Sequence, residues 1–314
     1  MRRIAIVVFP GFQVLDLVVV SVFELANQQL ARPAYEVGVV SEHGGAVLSS
    51  SGVRVESAPF GRARFDTVMV TGAMTPEPSP PGLLAFLRRA LASSRRLASI
   101  CTGAFILAEA GVLDGRRATT HWHFAQALQR AHPAIHLEPD RIFVNDGSVW
   151  TSAGMTACID LSLALVEEDL GVEVARAVAR KMVVYHRRTG GQSQFSALLD
   201  MAPASDRIQT ALAYAKKNLR QRLSVDDLAA AANLSPRQFS RAFSAETGQS
   251  PARAVEKLRV EAARELLEEG RHPIESVAAM AGFGDPERMR RAFLRTMGQP
   301  PQAVRRTARQ HAAA

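Results

Sequence analysis

The sequence predicts two domains of different class: an open, mostly parallel α/β sheet with helices on both faces, followed by an all-α domain with two helix-turn-helix units. Three observations carry that prediction. Short apolar runs alternate with amphipathic stretches up to Val184, the pattern of strands joined by crossover helices. One helical pattern is written twice between Leu223 and Arg306, as a supersecondary unit used twice would be. The charge is also divided. From Arg207 onward there are 19 Lys+Arg against 11 Asp+Glu, whereas Met1 to Asp206 holds 19 of each, so the whole net charge of +8 lies with the repeat. At 314 residues the chain is long enough for two sizeable cores.

Ile4–Phe9 is a continuous apolar run, which suits a parallel strand buried on both faces. Its leading arginines mimic a secretory signal, but Pro10-Gly11 interrupts the run and Asp16 and Glu24 follow, so it reads as a strand. Phe12–Gln29 reads as a helix, and Tyr35–Ser41 and Asp66–Val70 as strands. Thr75–Pro81 holds four prolines and reads as a loop, and Leu83–Ala92 as an amphipathic helix with Arg88 and Arg89 outward. Ile142–Val144 and Ser148–Ser152 are expected to pair as a hairpin around Asn145-Asp146-Gly147. Helices over Met155–Glu168 and Val172–Val184 close this domain, residues 1–186. Periodicity is then lost and Gly, Gln, Ser and Pro accumulate, so 187–205 reads as a linker before a domain over 206–310.

The most informative stretch of the first domain is its strand–turn–helix at Cys101. Leu97–Ile100 is a short apolar strand, Cys101-Thr102-Gly103-Ala104 a tight turn, and Phe105–Ala110 a helix stopped by Gly111. Such an elbow lifts one side chain clear of a sheet. The helix dipole favours a thiolate there, so a lowered thiol pKa is expected, with Gly103 allowing the sharp turn. Packing in the core, ligand contact without turnover and catalysis are all open to Cys101; ligand contact is the reading preferred. Cys158, in an apolar helix, reads as core. Two cysteines make no disulfide framework and point to a reduced, cytoplasmic setting. His121 and His123 flank Trp122 without a third ligand, so no metal is expected and His123 reads as packing. No apolar segment reaches the roughly 18 residues that a membrane span requires.

In the repeat, Val225 aligns with Ile274, Leu228 with Val277 and Ala232 with Ala281. After one extra turn residue, Phe239 aligns with Met289, Arg241 with Arg291, Phe243 with Phe293, Gly248 with Gly298 and Pro251 with Pro301. Each copy reads as helix, turn, helix. Ser224 is a candidate N-cap with Asp226 and Asp227 in the first turn, and Ser235-Pro236 opens the second helix. Helical spacing turns Phe239 and Phe243 inward and Arg237, Gln238, Ser240 and Arg241 outward or flanking; the second copy places Met289 and Phe293 inward and Glu287, Arg288 and Arg291 outward. A major groove admits one α-helix, where Arg grips guanine and Gln grips adenine. A lone exposed Arg is usually a solvated face, but two copies of the whole pattern favour duplex DNA as partner. Ala252–Glu269, striped by Val255, Leu258, Ala262 and Leu266, would hold both recognition helices for successive groove segments about 34 Å apart.

These residues carry two resemblances. The last third resembles the AraC/XylS-type DNA-binding domain, which implies Arg237, Gln238, Ser240 and Arg241 on one recognition helix and Glu287, Arg288 and Arg291 on the other. The second copy departs at Asp285-Pro286-Glu287, where a Pro and an acid are expected to weaken base contacts. Ile4 to about Val184, above all SICTGAFILAEAGVLDGRRATTHW, resembles the ThiJ/PfpI family of class I glutamine amidotransferase-like domains, with a flavodoxin-like sheet. That resemblance implies a ligand pocket at Asp16, Cys101, Thr102 and His121. Protease-like relatives carry His directly after the Cys; Thr102 stands there instead, closer to isonitrile-hydratase-like members. The two domains in this order resemble the GlxA family of transcriptional regulators. The implied protein is a cytoplasmic DNA-binding activator, a homodimer through its N-terminal domain, controlled by a small effector such as an amine or amino-acid metabolite and needing no cofactor. The alternative is an enzyme using Cys101 to hydrate a small substrate such as an isonitrile.

Overall fold

The computed structural model describes residues 1–184 except 62, then 188, 190, 194, 201, 203 and 205–306. The chain divides into two compact units, Met1–Gln194 and Phe195–Ala314.

In the first unit β1 (Arg2–Val7) leads through a 3-10 turn (Val14–Leu17) into α1 (Val18–Asn27). There follow β2 (Tyr35–Ser41), β3 (Gly45–Leu48), β4 (Arg54–Pro59), β5 (Thr67–Val70), α2 (Pro81–Ser93), β6 (Arg96–Ser99) and α3 (Gly103–Glu109). Then come β7 (Arg117–Ala118), α4 (Trp122–Ala131), β8 (His136–Leu137), β9 (Phe143–Asp146), β10 (Val149–Ser152), α5 (Ala157–Leu170) and α6 (Val172–Lys181). The main sheet runs β3-β4-β2-β1-β5-β6-β10-β9, parallel from β4 to β10 and closed at each edge by one antiparallel strand. The strand alternation sorts side chains onto two faces. Ala5, Val7, Val68, Val70, Leu97 and Val149 face a core with α2 and α3, while Ile4, Ile6, Met69, Ala98 and Trp150 face one with α1, α5 and α6. Burying both faces explains why these strands read as unbroken apolar runs.

Two differences from the sequence reading have physical causes. The strands β3 and β4 were not expected, because this edge hairpin is largely exposed and carries no apolar run. The β9–β10 hairpin turns at Gly147-Ser148, since Asp146 already pairs with Val149. Gly147, at φ 66°, takes the left-handed conformation that such a turn requires.

Of the expected linker, Arg188, Gly190 and Gln194 bond to or pack against first-unit residues, and Met201 lies in the core of the second. Its other residues, except Pro203 and Ser205, lie outside the described residues. The second unit holds α7 (Asp206–Lys217), α8 (Val225–Ala231), α9 (Pro236–Thr247), α10 (Pro251–Glu269), α11 (Ile274–Met280) and α12 (Pro286–Met297). It has two cores. Leu228, Phe239 and Phe243 pack with Ala254, Val255 and Leu258, while Val277, Met289 and Phe293 pack with Val260, Ala263 and Leu267. The long α10 therefore buries side chains in both cores rather than along the single expected stripe, and Ala262 and Leu266 are only partly buried.

Candidate functional site

The elbow is built where β6 ends. Cys101 itself takes the left-handed conformation, φ 55°, which a residue with a Cβ adopts only when its surroundings hold it there. Its backbone N–H donates to the Ser152 and Ala153 carbonyls, and its carbonyl accepts from the Thr120 hydroxyl at 2.9 Å. Thus Cys101, not Gly103, makes the sharp turn. Gly103 serves close approach instead, because a Cβ there would lie 2.8 Å from the Val70 and Thr71 carbonyl oxygens. The helix begins at Gly103, two residues earlier than expected.

Beside the thiol the structure places Asp16, Thr102 and the Gly72–Ala73 backbone, while His121 stands in the loop before α4. Asp16, in the turn after β1, is fully buried; its Oδ2 accepts from the Gly72 N–H at 2.7 Å, and its Oδ1 has no hydrogen-bond partner among the described residues. Burial pushes its pKa up to about 7, against a smaller lowering by the Gly72 bond. Thr102 is tied to Ala73 twice, its hydroxyl donating to the carbonyl and accepting from the N–H, both at 2.7 Å. His121 caps α4, its Nδ1 accepting from the His123 N–H at 3.2 Å, and burial, then the charge of His123, lowers its pKa. A Cβ on Gly154 would fall 1.9 Å from the imidazole Cδ2, so the His121 ring lies against the loop preceding α5.

The expected low thiol pKa is corrected. Burial, then the nearby Asp16 carboxylate, pushes the Cys101 thiol up to about 11, although the Thr102 and Met155 N–H groups and the Thr102 hydroxyl would stabilise a thiolate. At 4% exposure, loss of water outweighs the dipole of a seven-residue helix. Iodoacetamide should therefore label Cys101 slowly at neutral pH, the rate rising about tenfold per pH unit toward pH 11. A rate that levels off below pH 9 would contradict this. Met155, at φ 51°, was missed by sequence reading, because nothing in SAGMTAC marks its N–H as facing the thiol. Cys158 is fully buried in the core.

The second candidate surface lies on the repeat. Ser224 and Asp227 form a capping box, as do Ser235 and Gln238. In the second copy Asp285 accepts from the N–H groups of Glu287 and Arg288, and Pro286 takes the first helical position. Asp285-Pro286 is therefore the counterpart of Ser235-Pro236, and the departure expected there is a helix start of the ordinary kind. The turns match too, with Leu234 N–H donating to Ala229 and Phe283 N–H to Ala278. Arg237, Arg241, Arg288 and Arg291 are exposed and Ser240 is half-buried. Gln238 is exposed, but its Oε1 accepts from Ser235, so adenine would have to compete with the cap for it. Glu287 grips Arg290 through both oxygens, at 2.7 and 2.8 Å, a pair that sequence reading missed. The two copies are braced: Arg259 donates to the Leu219 and Gln221 carbonyls, and a Cβ on Gly282 would sit 1.7 Å from the Leu219 oxygen.

An α/β unit with a buried thiol elbow, joined to twin helix-turn-helix repeats, defines a class of protein: a transcriptional regulator with a separate DNA-binding unit. Residues 2–168 match the DJ-1/PfpI family, and residues 228–307 match a helix-turn-helix domain. The HTH-type transcriptional regulator GlxA of Rhizobium meliloti is 31% identical over 90% of this chain and 88% of its own. Isonitrile hydratase of Pseudomonas putida is 33% identical over 56% of this chain and 75% of its own. An AraC family transcriptional regulator from Pseudomonas putida shares the fold, with a TM-score of 0.53 at 23% identity over 58% of this chain and all of the other. The chain belongs to the GlxA family of HTH-type transcriptional regulators, a DJ-1/PfpI domain followed by an AraC-type helix-turn-helix domain. It is a DNA-binding regulator, and the enzyme reading is the weaker one because the hydratase matches only part of the chain. No described helix is long and apolar enough to cross a membrane.

Proposed function

We propose that a small metabolite bound at the elbow controls DNA binding, with Asp16, Cys101, Thr102 and His121 as its contacts and no turnover. One observation carries the reading: a carboxyl group is kept fully buried beside the thiol with Oδ1 unpartnered. Buried polar atoms are nearly always satisfied, so an orphan beside the strand–helix turn marks a group awaiting a partner, a donor while the acid is protonated and an acceptor once it ionises. An amine or amide N–H fits it, and a cation would draw the proton off an acid whose pKa is about 7. The protein acts as an activator in the cytoplasm, dimerised through its first domain, residues 1–186. A dimer of modest DNA-binding units gains avidity on paired half-sites. The test is the affinity of the full chain for a duplex it selects from a random pool, measured across amines and amino acids. One of them should shift affinity, and Asp16→Asn should remove the shift; no shift with any would defeat the reading.

On the DNA side, Arg237, Gln238, Ser240 and Arg241 from α9, with Glu287, Arg288 and Arg291 from α12, form the reading surface. Arg241→Ala should weaken binding to the selected duplex by about 1–3 kcal/mol and relax its selectivity, as competition binding would show. An equal loss on every duplex would make Arg241 a phosphate contact instead.

A further inference from the structure

The first unit ends in a segment whose described residues are bonded to both walls of the elbow. Arg188 takes Asp160 by its backbone N–H and its Nε, each at 2.8 Å, and the Thr156 hydroxyl by its Nη2 at 2.9 Å. Asp160 is buried, and Thr156 follows Met155, whose N–H faces the thiol. Gly190 lies so close to Phe143 that a Cβ would meet its carbonyl oxygen at 2.7 Å. Gln194 accepts the Trp122 N–H at 2.9 Å, and its Nε2 lies 2.8–3.2 Å from four oxygens, those of Thr120, Pro139, Arg141 and the Thr119 hydroxyl. Only the amide orientation with nitrogen among these acceptors satisfies both ends. Thr120 in turn donates to the Cys101 carbonyl.

Two short chains of contact therefore converge on Cys101: Gln194 through Thr120, and Arg188 through the Met155–Thr156 turn. Asp16, Cys101 and Thr102 are closed to solvent, so a molecule entering the elbow has to part the loops that cover it. Those loops hold Arg188 and Gln194, the two anchors of a strap, and the first unit ends at Gln194.

We propose that Arg188 and Gln194 are coupling residues, anchors that convert occupancy of the elbow into a change in how the chain is held where it leaves the first unit. This rests on the reading of the elbow as the effector site. Coupling between two binding sites is reciprocal in affinity, so DNA must shift the equilibrium that admits an effector to the elbow, and the opening that admits it also exposes the thiol. That allows a test without the natural effector. Iodoacetamide labelling of Cys101 in the full chain, located by peptide mapping, is compared with and without a duplex that the protein has selected. In the unaltered protein the duplex should change the rate by about fivefold or more. In Gln194→Glu, the same size but with oxygen facing four acceptors, and in Arg188→Ala, which keeps only the backbone bond to Asp160 and loses Thr156, the change should vanish while the labelled proteins still melt cooperatively. A duplex effect that survives both substitutions overturns the strap and leaves the elbow coupled by another route. No duplex effect in the unaltered protein overturns the elbow reading and the strap with it.

Discussion

Asp16→Asn should flatten the pH dependence of stability and make the protein more stable at pH 8. In the unfolded chain this carboxyl ionises near its ordinary value of 3.8, whereas in the folded protein burial holds the proton until about pH 7. Between those values the native state binds one more proton than the unfolded state, so stability falls as pH rises. The accumulated loss is on the order of 4 kcal/mol, complete above pH 7 and absent below pH 4. Asn keeps an acceptor for the Gly72 N–H but places an NH₂ where Oδ1 has no partner. Against that cost, of about 1–3 kcal/mol, a gain of about 1–3 kcal/mol should remain at pH 8 and none at pH 4. Denaturant titrations at the two pH values measure it. Equal stabilities for the unaltered protein and the Asp16→Asn variant at pH 8 would mean the carboxyl is not held neutral. A buried carboxyl that costs stability is what a binding site tolerates, since such sites trade stability for function.

Phe293→Ala and Phe239→Ala should each cost about 3–5 kcal/mol and silence DNA binding by the full chain. Both rings are fully buried, Phe239 with its ring centroid 5.4 Å from that of Phe243 and Phe293 in one core with Met289, in two cores that among the described residues share only the α10 helix. Neither core is large, so loss of one ring leaves little to hold its recognition helix. Thermal unfolding would show the loss, and a second, low-temperature transition would show that one repeat opens before the other. A cost below about 1 kcal/mol for either would mean that the ring is not a core member.

How far the sequence could be read depended on whether a feature is periodic. Tyr35–Ser41 is found at its predicted bounds because its Tyr and three Val write a strand pattern locally, although only Tyr35, Val40 and Ser41 are buried. The Ser235 and Ser224 caps are found because capping chemistry is local. The β3–β4 hairpin was not legible, since an exposed edge strand needs no apolar run. At the elbow the residue types were legible and their state was not. The positive φ of Cys101, the raised thiol pKa and the Met155 N–H all follow from neighbours distant in sequence. Asp285-Pro286-Glu287 reads as a departure from a family pattern; the structure shows Asp285 and Pro286 as the cap and first residue of α12, which capping chemistry explains.

On the proposed reading, two braced, Arg-bearing helices read one face of a duplex together. Selection of duplexes from a random pool by the full chain, repeated with Arg241→Ala and Arg291→Ala, tests it most directly. The selected site should hold two conserved segments about one duplex turn apart, each substitution blurring one segment and sparing the other. A chain that prefers no duplex over heparin, or substitutions that weaken every sequence alike, would contradict it.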